Sequence, residues 1–158
     1  MSDTPDRPLE DAARGRDRFH ARMRELHDVV MELSEGESFD ALCRGAVDLA
    51  RERLGFDRVS LRFTTSEPLV MAGSFGTDEL GRTRDERGSR VTAAPGSLMG
   101  DILARQQPSV RSERTTLFND TPEPVGEGMQ AIAALWDGRK IIGCMSVDNL
   151  LSRRPIED

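Results

Sequence analysis

The stretch Ile132-Ala133-Ala134-Leu135-Trp136-Asp137-Gly138-Arg139-Lys140-Ile141-Ile142-Gly143-Cys144-Met145-Ser146-Val147-Asp148-Asn149 decides how the rest of the chain is read. Two apolar runs flank Asp137-Gly138. Asp-Gly between such runs predicts a hairpin closed by a type I′ turn, whose two central residues both need positive φ. Neither run alternates cleanly, so both strands are expected to be covered on both faces, in the middle of a sheet. Gly143 inside the second run predicts a bulge or a close approach by another backbone or a ligand. The remaining segments are then cover for this hairpin.

The chain has 158 residues, 37% hydrophobic and 32% charged, enough for one domain with a real core. No apolar run approaches the roughly 20 residues that cross a bilayer. Met1–Asp6 lacks the basic-then-apolar pattern of a secretory signal. No membrane partner and a cytoplasmic location are therefore expected. A net charge of −6 argues against a nucleic-acid partner, whose footprint is a basic face. Cys43 and Cys144 are too few for a disulfide framework and lack metal-ligand spacing. They are expected to be reduced, buried, small hydrophobes, with no metal and no cofactor.

Outward from the hairpin, the chain opens with a Pro-bearing lead-in at 1–8 and a helix over 9–34. Leu9, Ala12, Phe19, Met23, Leu26, Val30 and Leu33, with Arg16 in the one gap, fall at alternating spacings of three and four. That is a heptad seam. It predicts pairing of two copies into a homodimer through Phe19, Met23, Leu26, Val30 and Leu33. The other reading is a single amphipathic helix lying on its own domain, which needs much the same stripe. After Glu35-Gly36-Glu37, Ser38 caps a second helix with Phe39, Leu42, Cys43, Ala46, Leu49, Ala50 and Leu54 on one face. Gly55 ends it.

Asp57–Thr64 alternates as a strand, with Val59, Leu61 and Phe63 on one side and Ser60, Arg62 and Thr64 on the other. A second strand is expected over Leu69–Phe75, an exposed charged loop over 76–88, and a short strand over Arg90–Ala93. Ser97 caps a short helix presenting Leu98, Met99, Ile102 and Leu103 on one face. Ser109–Arg111 is a short strand. The segment 112–128, with two prolines and two glycines, is expected to be a long loop, with one helical turn at Leu117–Asn119. Arg153-Arg154-Pro155-Ile156-Glu157-Asp158 opens like a helix, which predicts a fragment cut before a further helix.

This order gives an α+β plan with helices on one face of an antiparallel sheet. The residues themselves, Leu54-Gly55-Phe56-Asp57-Arg58-Val59-Ser60-Leu61, then Gly76-Thr77-Asp78, Asp85-Glu86-Arg87-Gly88, and Ile141–Asn149 with Pro155-Ile156, resemble a GAF domain. The resemblance covers roughly residues 26–158. It implies a sheet of five to six strands, helices packed on one face, and a short helix plus long loops over the other, where a small molecule binds. On this plan 35–158 is the GAF-like domain. It also implies a regulatory role, dimerisation through flanking helices, and an output domain beyond the C-terminus: a histidine kinase, a cyclase or phosphodiesterase, or a transcription factor.

Several chemistries of the family lack their residues here. The Asn-Lys-Phe-Asp-Glu signature of cyclic-nucleotide binders is absent. No His neighbours Cys43 or Cys144, as bilin attachment would need, and both histidines, His20 and His27, lie in the first helix, away from any haem pocket. Free methionine sulfoxide reductases need several cysteines on the pocket loops, and 76–90 and 112–128 hold none. No nucleophile, base or metal triad can be assembled, so a non-catalytic sensory module is expected. The alternatives are a small thiol reductase acting through Cys144 and a purely structural dimerisation module. The expected pocket residues for an unidentified small molecule are Ser60, Arg62, Met99, Leu103, Cys144 and Ser146. Arg62 is either the partner of an anionic ligand or an exposed residue of an edge-like strand. Asp148 and Asn149 stand second, since both suit a turn made with their own backbone.

Overall fold

The computed structural model describes the backbone of residues 7–34 and 38–156, and the side chains of 14–32 and 38–156. Among these residues the chain runs α1 (Arg7–Ser34), α2 (Phe39–Glu52), β1 (Arg58–Thr64), β2 (Val70–Thr77), β3 (Thr83–Asp85), β4 (Arg90–Thr92), α3 (Leu98–Arg105), β5 (Ser109–Phe118), β6 (Pro124–Asp137) and β7 (Lys140–Asp148). The strands make one antiparallel sheet in the order β3-β2-β1-β7-β6-β5, with β4 beside β3 on the outer edge of β2. The β6–β7 hairpin thus lies inside the sheet, between β1 and β5.

Alternation along the strands separates two faces. Val59 pairs with Val147 and Leu61 with Met145, so these four side chains point the same way. With Phe75 and Ile156 they meet Cys43, Val47 and Ala50 of α2 in one apolar core. The α2 helix is shaped for this. Ser38 accepts a hydrogen bond from the Ala41 amide at 3.1 Å, its buried residues recur on one side, and Gly55, at φ +75, turns the chain away. On the opposite face Met71, Ile132, Ile141 and Cys144 pack with Ala93 and with Ile102 of α3. The α1 helix touches its own domain through α2, where Val29 is buried. Phe19, Met23, Leu26 and Val30 of the seam are 44–61% exposed. The side chain of Leu33 lies outside the described residues, as do residues 1–6 of the lead-in expected over 1–8, whereas the backbone of Arg7 and Pro8 already belongs to α1.

Four expectations need correction. The sheet has seven strands rather than five or six. Segment 112–128 is not a loop, and Leu117–Asn119 makes no helical turn: β5 and β6 form a long hairpin through it. Its period is hidden because β5 is the sheet edge, polar apart from Val110, Leu117 and Phe118, and two register shifts interrupt the pairing. Within 76–88, β3 adds to the edge of β2 and Glu86 is buried, so this charged stretch is not simply solvated. The tight turn has Gly138 and Arg139 at its centre, and of the two only Gly138 has positive φ, at +59. That φ pattern belongs to type II′, with Gly at the first central position, rather than type I′. Gly143 does mark a close approach: a Cβ there would run into the Arg62 carbonyl and lie 2.9 Å from the Phe63 ring.

Candidate functional site

On the α3 side of the sheet the strands and loops enclose a cavity of about 470 Å³. Its floor is the outward parity of β1, β7 and β6, with Arg58, Ser60 and Arg62 beside Ser146, Asp148 and Gln130. One wall is the start of α3, where the Ser97 hydroxyl caps the Gly100 amide at 3.0 Å and Met99 faces the space. The rim is the turn between β5 and β6, held by Asn119, whose side-chain oxygen accepts from the amides of Thr121 and Glu123.

Charge is concentrated on the floor. Arg58 donates to Asp148 from Nε at 3.0 and 3.1 Å and from Nη2 at 2.7 Å, a pair more than nine-tenths buried. Glu86 reaches in from the segment after β3. It accepts from Ser60 Oγ at 2.8 Å and from Arg84 Nη2 at 2.8 Å, with Arg62 Nη2 at 3.6 Å. Gly76 makes room for it, since a Cβ there would lie 2.5 Å from the Glu86 carboxyl carbon. Burial works against the Arg84 charge, but the Glu86 hydrogen bond and the surrounding carboxylates outweigh it and hold its pKa above the ordinary value. Buried charges placed this way persist only when paired and hydrogen-bonded.

No protein-family model matches the sequence, and no curated protein matches it. Solved structures do. The GAF domain of a phosphoenolpyruvate-protein phosphotransferase from Coxiella burnetii aligns with a TM-score of 0.66 at 10% identity, over 81% of this chain and 77% of that one. This chain has a GAF-like fold. Two further neighbours share it. The chromophore-binding domain of Stigmatella aurantiaca phytochrome P1 aligns at 0.63 and 14% identity, over 86% of this chain and 54% of that one. A free methionine-R-sulfoxide reductase from Neisseria meningitidis, solved with its substrate, aligns at 0.60 and 13% identity, over 79% and 71%.

Within the GAF-like fold, Ser60, Arg62, Met99, Ser146 and Asp148 line the cavity. Leu103 and Cys144 belong to the adjoining apolar core instead. Asn149 stands at the sheet end, accepting from the Asp57 amide at 3.1 Å and donating to the Arg154 carbonyl at 3.0 Å. Asp148 joins both expectations, since it also accepts from the Leu150 amide at 3.1 Å. Arg62 is only 7% exposed on an interior strand, which removes the edge-strand reading. Arg58, Arg84, Glu86, Asp120 and Gln130 line the cavity without having been singled out. Arg58 shares parity with Ser60 and Arg62, so strand alternation alone was enough to find it. The spacing Gly73-x-x-Gly76 is the sign of a segment crossing close above β2.

Burial pushes the Cys144 thiol up to about 11, although the Arg62 charge pulls the other way. Burial also raises Cys43. Cys43 lies on the inner side of α2 and Cys144 under α3, on opposite faces of the sheet. Among the described residues no helix is long and apolar enough to cross a membrane.

Proposed function

We propose that this chain is a non-catalytic sensory or regulatory domain that binds a small molecule in the cavity between α3 and the sheet. The cavity carries the reading. It combines adequate volume, a partly apolar wall and a few convergent polar groups, the usual make-up of a small-molecule site. Neighbours of the same fold in signalling proteins support a regulatory use. Native mass spectrometry after gentle purification is expected to show a bound small molecule. Ser146→Phe, which places a ring in the cavity, is expected to lose it. An empty protein whose stability no metabolite pool raises would favour a purely structural module.

The exposed seam supports the second half of the proposal: two copies pair through α1, with Phe19, Met23, Leu26 and Val30 at the interface and Leu33 continuing the pattern. Paired helices then carry the state of the cavity to an output domain of the kinase, cyclase, phosphodiesterase or transcription-factor kind. By light scattering, Leu26→Asp is expected to turn a dimer into a folded monomer. A wild-type chain already monomeric at tens of micromolar would remove this part.

The Neisseria neighbour keeps a reductase reading in view. Against it stand a Cys144 thiol that burial holds protonated at neutral pH and a second cysteine across the sheet. Methionine sulfoxide turnover that disappears in Cys144→Ser would decide for the enzyme.

A further inference from the structure

Three guanidiniums of the cavity converge on one short piece of chain, the turn between β5 and β6. Arg58 Nη1 donates to the Phe118 carbonyl at 3.3 Å. Arg84 Nη1 lies 3.3 Å from the Asp120 carboxylate. Arg62 Nη1 donates to Ser89 Oγ at 3.3 Å, and that hydroxyl donates to the Asp120 carbonyl at 3.4 Å. The turn is therefore latched to the sheet through the cavity's own cations.

The charge balance shows what can undo the latch. On the sheet and its edge, three arginines, Arg58, Arg62 and Arg84, face two carboxylates, Glu86 and Asp148. Asp148 is fully engaged with Arg58, which leaves Glu86 shared between Arg62 and Arg84. That triad carries one positive charge in excess. Asp120 supplies the missing negative charge, but from a turn and with a side chain 27% exposed. Arg84 keeps a donor in reserve: its Nε is buried with no acceptor among the described residues. A buried donor without an acceptor, and a pair of guanidiniums that share Glu86 and complete their charge balance with the partly exposed Asp120 and the more distant Glu79, both favour an incoming oxyanion.

Building on the reading of the cavity as a small-molecule site, we propose that its ligand is an oxyanion-bearing molecule, a carboxylate or a phosphate, that takes the place of Asp120 on Arg84 and so loosens the β5–β6 turn. Asp120 is then a built-in stand-in for the ligand's anionic group. Binding then removes the one ionic tie of the turn and leaves its two hydrogen-bonded ties through Arg58 and Ser89, which gives the domain two states that differ by a single ion-pair exchange.

The test uses the whole chain, titrated with succinate and separately with inorganic phosphate, against sodium chloride at equal ionic strength. Affinity is followed by thermal shift and by amide NMR signals of residues 118–122. Asp120→Asn removes the internal competitor and is expected to bind the effective anion about tenfold more tightly than wild type. Arg84→Gln is expected to weaken it by at least about tenfold, with Arg84→Lys in between as a check that the fold survives. In wild type the 118–122 signals are expected to shift on binding. Response to succinate alone identifies a carboxylate ligand, and response to phosphate alone a phosphate ligand. An unchanged or weaker anion affinity in a folded Asp120→Asn variant overturns the proposal. So does a neutral molecule found in the cavity by native mass spectrometry with no response to either anion, an outcome that leaves the binding reading standing. An empty cavity and no response remove both.

Discussion

Successive residues of β1 and β7 finish in two different environments. Val59, Leu61 and Val147 enter a dry core closed by α2, whereas Arg58, Arg62 and Asp148, their neighbours in sequence, floor a charged cavity. The same sheet is filled throughout on one side, and on the other it carries a smaller apolar core under α3 beside a hollow. Apolar burial holds the first side together at about 1.5–3 kcal/mol for each large side chain removed from water. The hollow on the second side depends on pairing, because each of its charges is tolerable only while its partner is present. Apolar burial contributes on both faces, and recognition is placed on the one that also keeps a charged hollow.

The largest test of this division removes one partner. Asp148→Ala leaves Arg58 buried without a counter-ion and is expected to cost about 3–5 kcal/mol in urea unfolding. The double variant Arg58→Met with Asp148→Leu is expected to recover most of that loss, since replacing both charges by apolar groups is often neutral. A small loss in the single variant would mean that the two faces do not differ in the way described.

A smaller test uses pH. The unfolded Cys144 thiol gives up its proton near its ordinary 9.0, while the folded one holds it to about 11. Stability is therefore complete below pH 9 and falls as the pH rises to about 11, by roughly 2–3 kcal/mol. The chain has no tyrosine and a single lysine, so few other groups titrate in that window. Cys144→Ala is expected to flatten the decline measured by chemical denaturation at successive pH values, leaving the contribution of Cys43, which has the same sign.

The smallest test compares the caps of the two covering helices. Ser38→Ala and Ser97→Ala are each expected to cost about 1 kcal/mol, since each removes an acceptor from an α-helix first turn. Only Ser97→Ala is expected to alter anion binding as well, because Ser97 lines the cavity and Ser38 does not.

What was legible in the sequence follows the same division. The dry face announced itself: Val59, Leu61 and the α2 stripe have clear periods because one side of each element meets oil and the other meets something polar. The interior place of the hairpin was legible from its unbroken apolar runs. The charged side was harder to read. Arg84, Glu86 and Asp120 are brought together from an edge strand, a connecting segment and a turn, and charged residues in such places have the same local signature whether solvated or buried. The β5–β6 hairpin escaped for a related reason. Over 109–130 its residues mostly face the cavity or solvent, and only single apolar residues such as Val110 and Leu117 point into a core, too few to record a strand period.

Gly76 sets a constraint that reaches beyond its own strand. The Glu86 carboxyl occupies the volume that any side chain at this position would need. A single methyl group there would displace the acid that Arg62 and Arg84 share, and so change the electrical character of a chamber whose lining it never joins. Gly76 is thus a residue with nothing to recognise a ligand with, and its vacancy is the condition for the recognition done by others.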